Sequence, residues 1–147
     1  AYKMIKQDIS NLDTSSMDTL EISAGEYWFE NLKFKNYSIF NFPDIDICNR
    51  DTINFEKKFD LIIADNVWEH LQRPYLATKN VYELLKPNGY FIIITPFLVR
   101  IHNVPNDCNR WTETGIKNLL IESGFLEKNN KNNSWGKQRM CKIKFTR

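Results

Sequence analysis

Apolar runs broken by glycine, proline and asparagine give this chain its pattern. "KFDLIIAD" (58–65) and "GYFIIITPF" (89–97) are almost continuously apolar, as strands buried on both faces of a parallel sheet are. "DTLEIS" (18–23) and "NYSIFNF" (36–42) read as shorter strands, and "EYWFENLKF" (26–34) between them is compatible with a helix. In "PYLATKNVYELLKPNG" (74–89), Pro74 stands near a helix start. Ala77, Val81, Leu84 and Leu85 share one face there, and Pro87 with Gly89 supplies a stop. "TETGIKNLLIESGF" (112–125) reads as a second amphipathic helix, with Thr112 as N-cap, Ile116, Leu119 and Leu120 toward the core, and Gly124 just past the end.

The carboxyl-terminal pattern differs. "FLEKNN" (125–130) and "MCKIKFT" (140–146), joined through a polar loop around Trp135 and Gly136, read as an antiparallel pair closing one edge of the sheet, and "KNNKNNS" (128–134) reads as an exposed loop. Alternating strands and helices with buried parallel strands predict a three-layer α/β domain, and 147 residues suit one domain spanning 1–147. In such sheets ligands bind beyond the carboxyl ends of the strands. Those ends carry Ser23 to Gly25, Asn41 to Asp46, Asp65 to His70 and Thr95 to Trp111.

Charge and cysteine content narrow the picture. The formal charge is +2, yet residues 126–147 hold seven Lys or Arg against one acid, Glu127, while the preceding residues sum to −4. A basic rim interleaved with asparagine reads as a solvated edge, and no nucleic-acid partner is inferred from it. Cys48, Cys108 and Cys141 are isolated and lack C-x-x-C spacing, so they indicate neither a disulfide framework nor a zinc site, and a reduced, cytoplasmic chain without a metal is expected. "YFIIITPFLV" is far shorter than the ~20 residues of a membrane helix. "AYKMIKQDISNLD" lacks the long apolar core of a signal peptide.

Four segments, "LEISAG", "FDLIIADNVWEHLQRP", "LLKPNGYFIIITPF" and "HNVPNDCNRW" followed by "GIKNLLIESGF", together resemble the class I S-adenosylmethionine-dependent methyltransferases over roughly residues 18–125. The last of them is similar to a subgroup often associated with modification of sugars or other small metabolites. The resemblance implies a Rossmann-like methyltransferase sheet, mostly parallel with a carboxyl-terminal antiparallel pair. It implies S-adenosylmethionine as cofactor and a small-molecule or glycan acceptor. One departure is visible at once. A parallel crossover needs about a dozen residues or more, and too few separate Asn41 from Asp44. The sheet is therefore expected to be reduced at its second/third strand edge.

Carried onto this chain, the family's acid falls at Glu21 and its glycine positions at Ser23, Gly25 and Tyr27, with Ala24 inside the same loop. Only Gly25 is a glycine, so the loop reads either as a cofactor turn or as a plain strand-to-helix turn. Tyr27 decides between them by the direction of its ring. Asn41 stands where the family has an acid for the ribose hydroxyls, with Asp44 as the other candidate. Phe42, Asp46 and Ile47 are assigned to the adenine slot, and Asp65, Asn66, Val67 and His70 to its opposite side. The plainer reading of His70 is a structural hydrogen bond with Glu69 or with backbone.

His102, Asp107 and Arg110 share one irregular loop held by Pro105 and form the catalytic candidates. His102 suits removal of a proton from an acceptor, while Asp107 either orients it or pairs with Arg110 to brace the loop. The alternative function is a catalytically degenerate binding or regulatory module. A nicotinamide oxidoreductase lacks its full G-x-G-x-x-G turn here. An open mouth would suit a large or carrier-bound acceptor, or a pocket completed in a homo-oligomer or by a partner subunit.

Overall fold

The computed structural model describes residues 9, 11–23, 25–54, 56–126, 131–135 and 140–146, the last two segments as backbone only. In chain order the elements are β1 (Asp18–Ile22), α1 (Tyr27–Asn31), β2 (Asn36–Phe40), β3 (Phe59–Asp65), α2 (Pro74–Leu84), β4 (Leu85–Pro96), α3 (Glu113–Glu122), β5 (Lys131–Trp135) and β6 (Met140–Thr146). They build one sheet of order β2-β1-β3-β4-β6-β5. The first four strands are parallel, whereas β6 runs antiparallel to both β4 and β5.

Alternation along the central strands explains the layers. Ile62 and Ala64 of β3 face a core with Leu20, Ile22, Val81, Leu84, Ile116 and Leu120, which α2 and α3 cover. Leu61 and Ile63, one position out of phase, face a second core with Trp28 of α1 and Ile9. Trp28 and Trp68 are both fully buried, one on each side of the sheet.

The crossover from β2 to β3 has no α-helix among its described residues. Its segment from Asn41 onward turns repeatedly, passes a 3₁₀ turn at Arg50–Thr52, and inserts Ile47, Cys48 and Ile53 into the same core as α2. The strand β2 therefore ends the sheet, and a packed loop does the covering that a helix would otherwise do.

Four local expectations need correction. The helix over 26–34 is only the five residues of α1. Leu85 belongs to β4, not to the preceding helix, because the Lys-Pro-Asn-Gly turn lies inside that strand as a bulge: pairing jumps from Phe59↔Leu85 to Leu61↔Tyr90. Asn88 takes φ 62° there, and a Cβ on Gly89 would stand 2.9 Å from the Lys86 carbonyl oxygen and 3.1 Å from that of Phe59. A strand covers Lys131–Trp135, beginning inside the "KNNKNNS" stretch read as an exposed loop and reaching Trp135, expected in the polar loop; of "FLEKNN" only Phe125 and Leu126 are described, and neither is in a strand. Residues 127–130 and Gly136 lie outside the described residues. Thr112 caps α3 as expected, accepting the Gly115 N–H at 3.0 Å, and Gly124 has φ 105°.

Among the described residues no helix is long and apolar enough to cross a membrane.

Candidate functional site

The carboxyl ends of β1, β2 and β3 open onto a cleft of about 570 Å³. Ile22 and Ser23 form its floor on the β1 side, Phe40, Phe42 and Ile45–Cys48 one wall, and Asn66, Val67 and His70–Arg73 the opposite wall; Val104–Asn106 reach over from the loop after β4. Three residues of the strand-end turns, Ser23, Glu26 and Asn66, hold left-handed φ values of 57°, 62° and 55°. Each such non-glycine residue costs of order 1 kcal/mol, and strain of this kind concentrates at sites where a ligand is clamped.

Under the first turn lie two acids, Glu21 and Asp65, each accepting hydrogen bonds from its own neighbours. Glu21 is buried, accepts the Gly25 N–H at 3.3 Å and accepts the Tyr37 hydroxyl. Burial pushes its carboxyl above the ordinary range; the Gly25 N–H opposes this and the charge of Asp65 adds to it. Asp65 itself accepts Trp28 Nε1–H at 3.1 Å and Asn66 Nδ2–H at 2.9 Å. Neither acid lines the cleft. They brace the turn from below.

The demand for glycine falls elsewhere than at Gly25. A Cβ added there would meet nothing within 4 Å, whereas Ser23 occupies the left-handed conformation that glycine favours. Ala24 lies outside the described residues. Tyr27 turns its ring away from the cleft, packing on the core beneath α1 and meeting Trp28 edge-on at 5.0 Å between ring centroids.

On the β2 wall, Asn41 and Asp44 are exposed and outside the cleft lining, while Phe42, Asp46 and Ile47 are part of it. Asp46 accepts the Cys48 N–H at 2.8 Å through one carboxylate oxygen, and the Ile47 carbonyl takes Asn80 Nδ2–H at 2.8 Å. Burial also pushes the Cys48 thiol up, keeping it protonated at neutral pH.

The opposite wall is a clasp of side chains. Glu69 is fully buried; its Oε2 accepts Thr95 Oγ1–H at 3.3 Å and its main-chain carbonyl takes the Cys108 and Asn109 N–H groups at 2.8 and 2.9 Å. Burial raises its carboxyl, opposed by its own N–H, by the nearby His70 and His102, and by Thr95. His70 Nδ1 meets the Asn106 carbonyl oxygen, and the His70 ring stands edge-to-face with that of His102 at 4.9 Å. Asp107 accepts from Arg110 with both oxygens and takes the His102 main-chain N–H at 2.9 Å, so it holds the loop rather than the imidazole. These bonds to Arg110 hold the Asp107 carboxyl well below the usual carboxylate range. His102, Asp107 and Arg110 stand beside the cleft; His70 and Val104–Asn106 are their neighbours that line it.

Sequence reasoning thus placed Ser23, Phe42, Asp46, Ile47, Asn66, Val67 and His70 where the structure has a cleft. It passed over Gln72 and Arg73, which line it, and gave Glu69 only a supporting part. Arg73 had a usable signal, because it immediately precedes the helix-starting Pro74 at the end of a strand-to-helix turn.

A family model described as a methyltransferase domain matches residues 3–135. No curated protein matches the sequence. Among solved structures, a S-adenosylmethionine-dependent methyltransferase from Clostridium acetobutylicum superposes with TM-score 0.73 at 16% identity, over 97% of this chain and 88% of that one. One from Mesorhizobium loti gives 0.71 at 12% identity, over 100% and 98%. An O-methyltransferase family protein from Burkholderia thailandensis gives 0.67 at 10% identity, where 99% of this chain spans 55% of the other, little more than half its length. At these identities the likeness is one of fold.

Proposed function

The chain belongs to the class I S-adenosylmethionine-dependent methyltransferase family, and from that premise we propose that its cleft binds S-adenosylmethionine and directs the methyl group to a small-molecule or glycan acceptor. The observation that carries this reading is the cleft itself, bounded by Ser23, Asp46, Ile47, Asn66 and His70 at the carboxyl ends of three parallel strands. The strained Ser23 and Asn66 turns bring main chain close to a ligand, Asp46 offers a carboxylate, and Phe42, Ile45 and Ile47 supply an apolar slot for a base. Methyl transfer needs little covalent help from protein: an aligned acceptor, exclusion of water, and removal of the acceptor's proton. The imidazole-bearing wall supplies the polar surroundings for that acceptor.

Calorimetry on the full chain with S-adenosylmethionine and S-adenosylhomocysteine tests it. Saturable 1:1 binding with Kd below about 100 μM is expected, and no heat at ~1 mM ligand would sink the reading. Binding without turnover across hydroxylated acceptors would favour the degenerate binding module instead.

A further inference from the structure

We propose that Glu69, His70 and His102 bind one divalent transition-metal ion at the His70 end of the cleft. Their donor atoms, one carboxylate oxygen and two imidazole nitrogens, all lie within 4.8 Å of one another. Bonds of ~2.1 Å at a tetrahedral angle set donors about 3.4 Å apart, so the widest separation closes by at most about 1.4 Å, within the reach of side-chain rotation.

Two observations distinguish this from an ordinary polar cluster. Glu69 is 0% exposed, yet its Oε1 has no hydrogen-bond partner, although buried carboxylate oxygens are costly to leave unpaired. The second concerns the tautomer of His70. A carbonyl oxygen only accepts, so the contact with Asn106 puts the proton on Nδ1 and leaves the lone pair of the neutral ring on Nε2. That nitrogen faces Glu69 Oε1 at 3.7 Å, too far for a hydrogen bond. With the His70 ring neutral, two lone-pair donors confront one another across a gap that metal bonds of ~2.1 Å bridge at an angle of roughly 125°.

The surroundings hold each donor in place. Thr95 fixes the other Glu69 oxygen, the Asn106 carbonyl fixes the His70 ring, and Asp107, tied to Arg110, fixes the main chain at His102. Two imidazoles and a carboxylate suit Zn²⁺, Mn²⁺, Fe²⁺ or Co²⁺ better than Ca²⁺ or Mg²⁺. Three protein ligands leave a coordination position open, and His70 lines the cleft. On the methyl-transfer reading, that position takes an acceptor oxygen and lowers its pKa, so that His102 serves as a ligand and not as a free base. The metal site itself does not depend on that reading.

The test strips the tag-free full chain with a chelator, then titrates it with Zn²⁺ by calorimetry and with Co²⁺ by visible absorption, without cofactor or acceptor. One ion per chain and ligand-field bands for Co²⁺ are expected. His102→Ala, on an irregular loop, is expected to abolish the bands and weaken Zn²⁺ by more than the about 10–100-fold that loss of a supporting partner costs. Thr95→Val, which leaves all three ligands, is expected to weaken binding by about 10-fold. Circular dichroism verifies the fold of each variant, and His70→Ala replaces any that fails to fold. No saturable binding at ~1 mM Zn²⁺, or wild-type affinity in both histidine variants, overturns the proposal. S-adenosylhomocysteine titrated into the same metal-free protein separates the two readings, since either ligand can fail to bind while the other binds.

Discussion

The wall from Ile22 to Phe42 and the wall from Trp68 to Trp111 meet at one cleft but are built differently. The first is shaped by main chain: a left-handed Ser23, a left-handed Glu26, and the Ser23 N–H bonded to the Phe40 carbonyl at 2.8 Å. Its buried acid, Glu21, works from underneath. The second is held by side chains reaching across the chain: Trp111 Nε1–H donates to the Trp68 carbonyl at 3.1 Å, Asn109 Nδ2–H to the Leu71 carbonyl at 2.6 Å, and Asp107 grips Arg110. A main-chain wall stores its shape in torsion angles and changes little when a side chain is lost. A side-chain wall is rigid only while its anchors remain.

The largest expected effect comes from removing such an anchor. Trp68 is fully buried, meets Phe91 with ring centroids 5.1 Å apart, and donates Nε1–H to Thr78 Oγ1 at 3.1 Å. Trp68→Ala is expected to cost ~3–5 kcal/mol in urea denaturation, a large share of the about 5–15 kcal/mol that holds a typical domain together. A loss under ~1 kcal/mol would mean that this wall does not hang on its tryptophan.

On the other wall a substitution is expected to help. Ser23 sits at φ 57°, where a Cβ is disfavoured, so Ser23→Gly relieves strain that glycine does not feel. The added freedom of the unfolded chain offsets part of the gain, leaving a stabilisation of about 0.5–1 kcal/mol by the same denaturation assay. Destabilisation by Ser23→Gly would show that the serine side chain, and not the torsion angle, matters at this turn.

The same contrast explains what could be read from the sequence. Strands β3 and β4 and helices α2 and α3 were legible because periodicity and end signals agree along each segment. "KNNKNNS" was not, because it has no apolar alternation and its strand exists through pairing with β6. The strand-end rule led to Asn66 and His70, which line the cleft, since it depends on backbone course alone. It does not distinguish Glu69 and Asp65, which are absent from the cleft lining because their side chains turn elsewhere. Asp65 follows the β3 alternation toward Trp28, and the left-handed Asn66 then reverses the chain so that Glu69 is buried beside Thr95. A one-residue change of direction of this kind leaves no trace in composition.

The smallest expected effect concerns Tyr27, the aromatic residue at a position where the family carries glycine. Its ring meets Trp28 and packs against the core on the face of the sheet covered by α1, and it is not among the residues lining the cleft. Tyr27→Ala therefore removes core packing without opening the site, and affinity for S-adenosylhomocysteine is expected to stay within about twofold, or ~0.4 kcal/mol, of the parent value. A tenfold gain in calorimetry would place the ring in the cofactor's path and make the main-chain wall depend on a side chain after all. An unchanged affinity alongside a lowered unfolding midpoint would confine Tyr27 to the core and leave the turn at Ser23 to shape this wall.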